Sequence, residues 1–434
     1  MSNTTTSWVP IPPGSHFSIA NIPFGIISTE ERPAPVPAVA IGEHALDLAQ
    51  FATGNGFSGL DNISSHLNVF SEPTLNGFAA LGRPVHREVR AYLQDVLRSD
   101  TQFGRILKDN EELRQKSLIP LNKVQNHVPM TIGDYTDFFA GVNHASTMGR
   151  ILRGAANPLQ PNYLHVPVAY HSRSSSIIIS GSQFHRPSGQ VLQDPTAEVK
   201  EPKFSPTNRL DIELELGVFL CRENKLGVPV PVNSAEEAIF GAVIVNDWSA
   251  RDIQAWEYVP LGPFIAKNFA TTISSWVVLA DALEPFLTSS LQRDRQMLPY
   301  LQEKRVENVW DIQLRVDLKP SNGPITTLSR TSAKNVVWSF AQMLAHHSVG
   351  GCNMRVGDLL ASGTISGTEH GTQGSLVEQN KGGKEVIQLN GGLERKFLED
   401  GDSITITGWC GHDQNALVGF GDCSSLILPA VQGD

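Results

Sequence analysis

Cysteine is scarce in this chain. Its 434 residues include four, Cys221, Cys352, Cys410 and Cys423, set far apart and with no Cys-x-x-Cys pair. That excludes a disulfide-stapled scaffold and a zinc ribbon, and it suits a reducing compartment. No run of Lys and Arg occurs, and the formal net charge is −10. Without a cationic field, nucleic acid and anionic membrane surfaces are excluded as partners. No window reaches the roughly 18 apolar residues that span a bilayer. The opening Met1-Ser-Asn-Thr-Thr-Thr lacks the basic and apolar segments of a signal peptide, so a cytosolic location is expected. GxSxG, HExxH, an EF-hand loop and a GxGxxG after a strand are all missing too. What remains is 40% hydrophobic and 18% charged, enough for a sizeable core and inconsistent with disorder. The length predicts two to three domains.

The first ~120 residues carry short β-like runs, Phe24–Ile27 and Val39–Ile41, broken by Pro and Gly. Gly42-Glu43 between Val39–Ile41 and Ala45–Leu48 predicts a tight hairpin. Val89, Tyr92, Leu93, Val96 and Leu97 then recur at helical spacing, with charged residues elsewhere. This reads as a small β-barrel-like unit, residues 1–122, closed by a helical connector ending near Pro120. Residues 123–434 are strand-rich, with Ser176–Ile179 and Ile404–Ile406 as strands and Asn335–His347 as the best later helix. Strands and helices do not alternate regularly, which disfavours a doubly wound parallel sheet. A mainly β chain is expected, its larger second domain a β-roll or sandwich.

Candidate chemistry concentrates in a few segments. Asp134, Asp137 and His144 lie within eleven residues; alone, this segment reads as a solvated turn with an ordinary loop histidine. Leu210–Leu216 alternates strictly, so a strand would put Asp211, Glu213 and Glu215 on one face. Such carboxylates repel unless they face water or share a cation, and both readings stay open. Oxygen-only donors would select a hard ion such as Mg²⁺ or Ca²⁺. Asp247 ends an apolar strand, Val243–Val245, and its spacing to Arg251 and Gln254 suggests one face of a following helix. The Gly363–Gly374 loop, with Glu378 beyond it, either approaches a ligand or is a plain turn. His346-His347 ends a helix, where a cationic role is the simple account.

Three long stretches carry a resemblance: Thr131–Asp137, Asn246–Gln254 continuing through Trp256–Phe264, and Asp358–Gly367. They resemble the fumarylacetoacetase branch of the fumarylacetoacetate hydrolase family, and the likeness runs over nearly the whole chain. The resemblance implies an SH3-like N-terminal barrel, a C-terminal β-roll, a homodimer and a metal-dependent hydrolase. The implied reaction splits a carbon–carbon bond of 4-fumarylacetoacetate into fumarate and acetoacetate, ending tyrosine and phenylalanine breakdown. It implies Asp137, Glu213, Glu215 and Asp247 as ligands of Mg²⁺ or Ca²⁺, with Lys267 and Thr271 beside the ion. His144 matches the general base and Glu378 its orienting carboxylate. Arg251, Gln254 and Lys267 match the groups that stabilise developing negative charge. Phe139, Arg153, Tyr170, Gln254, Tyr258 and Thr364 match substrate-contacting positions. Phe139 stands where the pattern has Tyr, Ala270 replaces a Gly, and Ser172 stands where Gly is usual.

Such residues suit that chemistry. Breaking a carbon–carbon bond makes carbon the leaving group, tolerable only if a neighbouring carbonyl takes the charge as an enolate, which a hard cation stabilises. A histidine base supplies the water nucleophile. Decarboxylases and hydratases of the superfamily share the acidic residues, but the His144–Glu378 pair favours hydrolysis.

Overall fold

The computed structural model describes residues 6–431 apart from 155 and 157. The N-terminal unit is a five-stranded antiparallel sheet in the order Leu118–Pro120, His44–Asp47, Val36–Ile41, Phe24–Ser28, Gln125–His127. Its last strand lies past the division expected at 122/123, so the connector returns into the sheet before the chain leaves it. The predicted hairpin is present, with Ile41 opposite His44. Gly42 turns it at φ 57°, and a Cβ there would meet the Pro10 carbonyl oxygen at 2.3 Å. Only glycine fits. The predicted helix runs Arg83–Leu97 and buries Val89, Tyr92, Leu93, Val96 and Leu97. Pro84 in its first turn is tolerated because the missing N–H would have had no helical partner.

The larger unit is built on an eight-stranded mixed sheet. Its path runs Ala169–Ser172, Tyr135–Phe138, Leu359–Ala361, Leu214–Leu220, Ile239–Asp247, Thr271–Ile273, Ile177–Ile179, and the eighth strand, Val278–Leu279, pairs with Ile239–Asp247 off that path. All nine residues of Ile239–Asp247 are buried, because both faces of this sheet are covered. Phe219, Phe240, Val243 and Val245 pack with Phe24, Phe78 and Leu93 of the N-terminal unit. Leu214, Leu216, Ala242 and Ile244 pack the other way, with Leu314, Val316, Ile404 and Ile406. These last four belong to a five-stranded sheet ordered Thr326–Ser332, Gln313–Lys319, Ser403–Cys410, Val418–Leu428, Ser182–His185. A strand covered on both sides loses the alternation of a half-wet one and reads as a continuous apolar run. Each such side chain contributes about 1.5–3 kcal/mol when removed from water.

Two local expectations need correcting. The later helix is Phe340–Ser348, not Asn335–His347: Ser339 and Gln342 form a capping box that sets its start, and Val337 N–H bonds instead to the Ala140 carbonyl. Its two final histidines are not cationic caps. His346 bonds Tyr300 at 2.9 Å and His347 bonds Thr136 at 2.8 Å, and burial lowers the pKa of both.

Candidate active site

The carboxylates gather at one end of the central sheet. Thr271 stands opposite Asp247, and Ala361 lies beside Asp137 in a parallel pair. Asp137 is two residues beyond Tyr135, and Asp247 two beyond Val245, so both share the face that the N-terminal unit covers. Glu215 shares it as well, four residues before Phe219 on its strand. The site begins where that cover stops. The strict alternation expected from Leu210 to Leu216 does not hold. The strand breaks after Asp211 and resumes at Leu214, leaving Glu213 in the gap with its N–H on the Asn246 side-chain oxygen at 3.1 Å. That break sends Asp211 elsewhere and brings Glu213 in.

One oxygen from each of Asp137, Glu213, Glu215 and Asp247 lies within 4.8 Å of the others. All four are buried, none more than 6% exposed, which removes the solvated-face alternative. Burial and the neighbouring negative charge of Asp247 push the Asp137 carboxyl well above its ordinary pKa; burial, Asp137 and Asp247 do the same to Glu215. Among the described residues, none donates a hydrogen bond to Asp137 Oδ1 or Glu215 Oε1. Orphaned, crowded, buried carboxylate oxygens cost several kcal/mol, and a shared cation removes that cost. The residues therefore fit a hard divalent ion.

Two basic groups complete the cluster. Lys267 donates to Glu213 Oε2 and, at 2.8 Å, to Asp247 Oδ2. Burial would lower its pKa, but Asp247 and Glu213 hold it above the ordinary value. A protonated amine has no lone pair for a cation, so Lys267 balances the charge of the carboxylates and offers no ligand atom. Arg251, first residue of the helix Arg251–Glu257, donates to Glu213 Oε1 at 2.7 Å and Gln254 Oε1 at 3.1 Å. Burial raises the Glu213 carboxyl, and Lys267 and Arg251 more than reverse this, holding it far below the ordinary range. Asp247 itself ends a strand and is not on that helix, contrary to the spacing argument. Thr271 Oγ1 donates to Asp247 Oδ1 at 2.9 Å. The Tyr170 hydroxyl lies 2.8 Å from Asp137 Oδ2 and 2.7 Å from Asp247 Oδ2, shared between them.

His144 enters from the helix Val142–Arg153, which ends at Gly154 in the left-handed region. Its Nδ1 lies 2.7 Å from Glu378 Oε2, and its Nε2 lies 3.8 Å from Glu213 Oε1. Ser366 and Ser375 hydroxyls each donate to the same Glu378 oxygen at 2.8 Å. Burial would raise the Glu378 carboxyl, but His144 and the hydroxyls hold it below the ordinary value. An anion at Nδ1 fixes the tautomer with Nδ1 protonated, which leaves the Nε2 lone pair toward the carboxylates. Phe139 packs edge-on against the His144 ring, centroids 5.6 Å apart.

A cavity of about 410 Å³ opens over these groups. Phe139, Arg153, Tyr170, Gln254, Tyr258 and Thr364 all line it. Arg153 is exposed at the mouth, while Thr364 is buried and its hydroxyl has no partner among the described residues. Gly363, at φ 74°, donates its N–H to Glu215 Oε2 at 3.2 Å, and a Cβ there would strike the Phe138 carbonyl oxygen at 2.2 Å. The glycine-rich loop thus grips a carboxylate of the cluster. Tyr135, Ser366 and Ser375 were missed from sequence. The Tyr135 hydroxyl is buried near Thr271, Asp247 and Asp137. Its place two residues before Asp137 on a strand was the available signal; the serines had none.

Similarity to known proteins agrees with this geometry. Residues 20–129 match the family described as Fumarylacetoacetase N-terminal, and residues 135–424 match Fumarylacetoacetate (FAA) hydrolase C-terminal. The chain is 59% identical to a fumarylacetoacetase of Aspergillus fumigatus over 98% of its own length and 99% of that protein. Against the fumarylacetoacetase of Rattus norvegicus it is 45% identical, over 98% of this chain and 99% of the other. A solved fumarylacetoacetate hydrolase from Exiguobacterium antarcticum shares the fold, with a TM-score of 0.51 and 15% identity, covering 94% of this chain and 99% of that one. With both halves matched and full-length relatives this similar, the chain belongs to the fumarylacetoacetase family.

Proposed function

We propose that this chain hydrolyses the carbon–carbon bond of 4-fumarylacetoacetate, releasing fumarate and acetoacetate, as the last step of tyrosine and phenylalanine catabolism. One observation carries the reading: an imidazole held at Nδ1 by a buried carboxylate at 2.7 Å, its Nε2 turned toward four converging carboxylates. His144 Nε2 takes a proton from water as the oxygen attacks the substrate carbonyl, and Glu378 stabilises the imidazolium that forms. Arg251, the Gln254 amide and Lys267 stabilise the oxyanion; losing one such donor typically costs about 10²–10³ in rate. A divalent cation, Mg²⁺ or Ca²⁺, held by Asp137, Glu213, Glu215 and Asp247 with Thr271 and Lys267 beside them, would supply Lewis-acid stabilisation of the enolate leaving group. The proton on His144 then passes to the departing carbon. Arg153 and Tyr258 at the mouth suit the substrate carboxylates, and Thr364 its polar oxygens.

The exposed apolar side chains Val259, Leu261 and Phe264 beside the mouth support a homodimer. Four free cysteines support a reducing, cytosolic setting. No helix among the described residues is long and apolar enough to cross a membrane.

The test is the ultraviolet absorbance of the diketo acid, followed with protein and Mg²⁺, with fumarate and acetoacetate identified as products. The His144→Gln variant should lose turnover while calorimetry still registers the cation. Absence of fumarate from the wild-type chain, or full turnover by the variant, would overturn the reading.

A further inference from the structure

Asp211 is fully buried, yet it stands outside the carboxylate cluster. Its Oδ1 accepts the N–H groups of Ile212 at 2.8 Å and Leu376 at 2.7 Å. Its Oδ2 accepts Arg251 Nε at 2.9 Å and the Val377 N–H at 3.0 Å. Four donors saturate the carboxylate. They come from separate parts of the chain, Arg251 lying 40 residues away and Leu376 165. Arg251 is the guanidinium of the proposed oxyanion site. Leu376 and Val377 open the short helix Leu376–Gln379 that carries Glu378, the partner of His144.

We infer that Asp211 is a positioning residue that locks the Arg251 guanidinium and the Glu378 helix into one unit. The inference rests on the hydrolase reading above. Asp211 touches neither substrate nor cation; it acts through two groups that do the chemistry. The Arg251 fork is gripped from both sides, by Asp211 at Nε and Glu213 at Nη1. A fork held twice cannot rotate away as charge develops on the substrate oxygen, which is the preorganisation that oxyanion stabilisation needs. The same carboxylate anchors the first two N–H groups of the Glu378 helix, which fixes the reach of Glu378 to His144.

Asparagine has nearly the same shape, so the geometry states what Asp211→Asn does. Each carboxylate oxygen faces two N–H donors, so the new amide NH₂ opposes two donors whichever way it is placed. Either Arg251 and Val377 or Ile212 and Leu376 must withdraw. We expect kcat to fall by about 10²-fold, with KM within about threefold of wild type, because Asp211 does not line the cavity. The acidic limb of the kcat–pH profile should shift as Glu378 loses its alignment with His144. In an Arg251→Gln background, adding Asp211→Asn should cost less than about tenfold more, because residues acting as one unit are non-additive. Additive losses, or wild-type kcat in Asp211→Asn, overturn the inference. If the single variant fails to fold, the double decides: recovery of folding once the guanidinium is gone supports the lock, and failure of both assigns Asp211 to the fold alone. A wild-type chain that releases no fumarate would sink the hydrolase reading instead, so the two failures are distinguishable.

Discussion

Replacing Glu378 with glutamine isolates the charge behind the proposed base. In the wild-type chain Glu378 Oε2 accepts from His144 Nδ1 at 2.7 Å and from two serine hydroxyls at 2.8 Å. A glutamine oxygen in the same place keeps the shape and can still accept the His144 N–H, so the main loss is the negative charge. Unit charges about 4 Å apart attract by roughly 4 kcal/mol at an effective dielectric near 20. Most of that stabilises the imidazolium formed as His144 takes the proton, so about 3–4 kcal/mol of it disappears from the transition state. At about 1.36 kcal/mol per decade, kcat should fall about 10²–10³-fold. Glu378 is not among the converging carboxylates, so divalent-ion affinity should hold. Steady-state absorbance kinetics and calorimetry on one preparation check both statements. A kcat within about threefold of wild type refutes the imidazolium argument. So does a loss of rate that simply tracks a loss of bound ion.

Further outcomes follow from the same geometry. Asp247→Ala removes a carboxylate that meets Lys267, Thr271 and Tyr170. Changes to outer partners cost about 10–100-fold in metal affinity, so loss of a ligand should exceed that, as calorimetry with Mg²⁺ would reveal. Gly363→Ala puts a methyl group against the Phe138 carbonyl at φ 74°; unfolding should come at least about 1 kcal/mol more easily, with weakened ion binding through Glu215. His86 is buried with Nε2 at 3.0 Å from two carbonyl oxygens and Nδ1 unpartnered, and burial pushes its pKa down to about 4. Below an unfolded value near 6.5 the unfolded chain binds the proton first, so stability drains away as pH falls toward 4, by up to about 3 kcal/mol. Denaturant titrations across that range should show the slope, and His86→Gln should flatten it. An unchanged slope in the variant would assign the acid sensitivity elsewhere.

Local chemistry was readable along the chain. The helix at Arg83–Leu97 and the turn at Gly42-Glu43 follow from spacing and from glycine's freedom at positive φ, which neighbours i+3, i+4 and i+1 already encode. The long stretches around Asp137, Asp247 and Asp358 were enough to expect the family and its ligand residues. Burial was not readable. The alternating Leu210–Leu216 looked the same whether its acids faced water or an ion, because solvent is excluded by strands and by a loop 148 residues from Glu215. At the break at Ile212-Glu213, where the Asn246 side chain accepts the Glu213 N–H, Asp211 parts from the cluster. His144 meets Glu378 across 234 residues, a contact that leaves no periodic trace. Periodicity records which side of an element is apolar; only packing decides what lies against that side, and therefore which charges must find partners there.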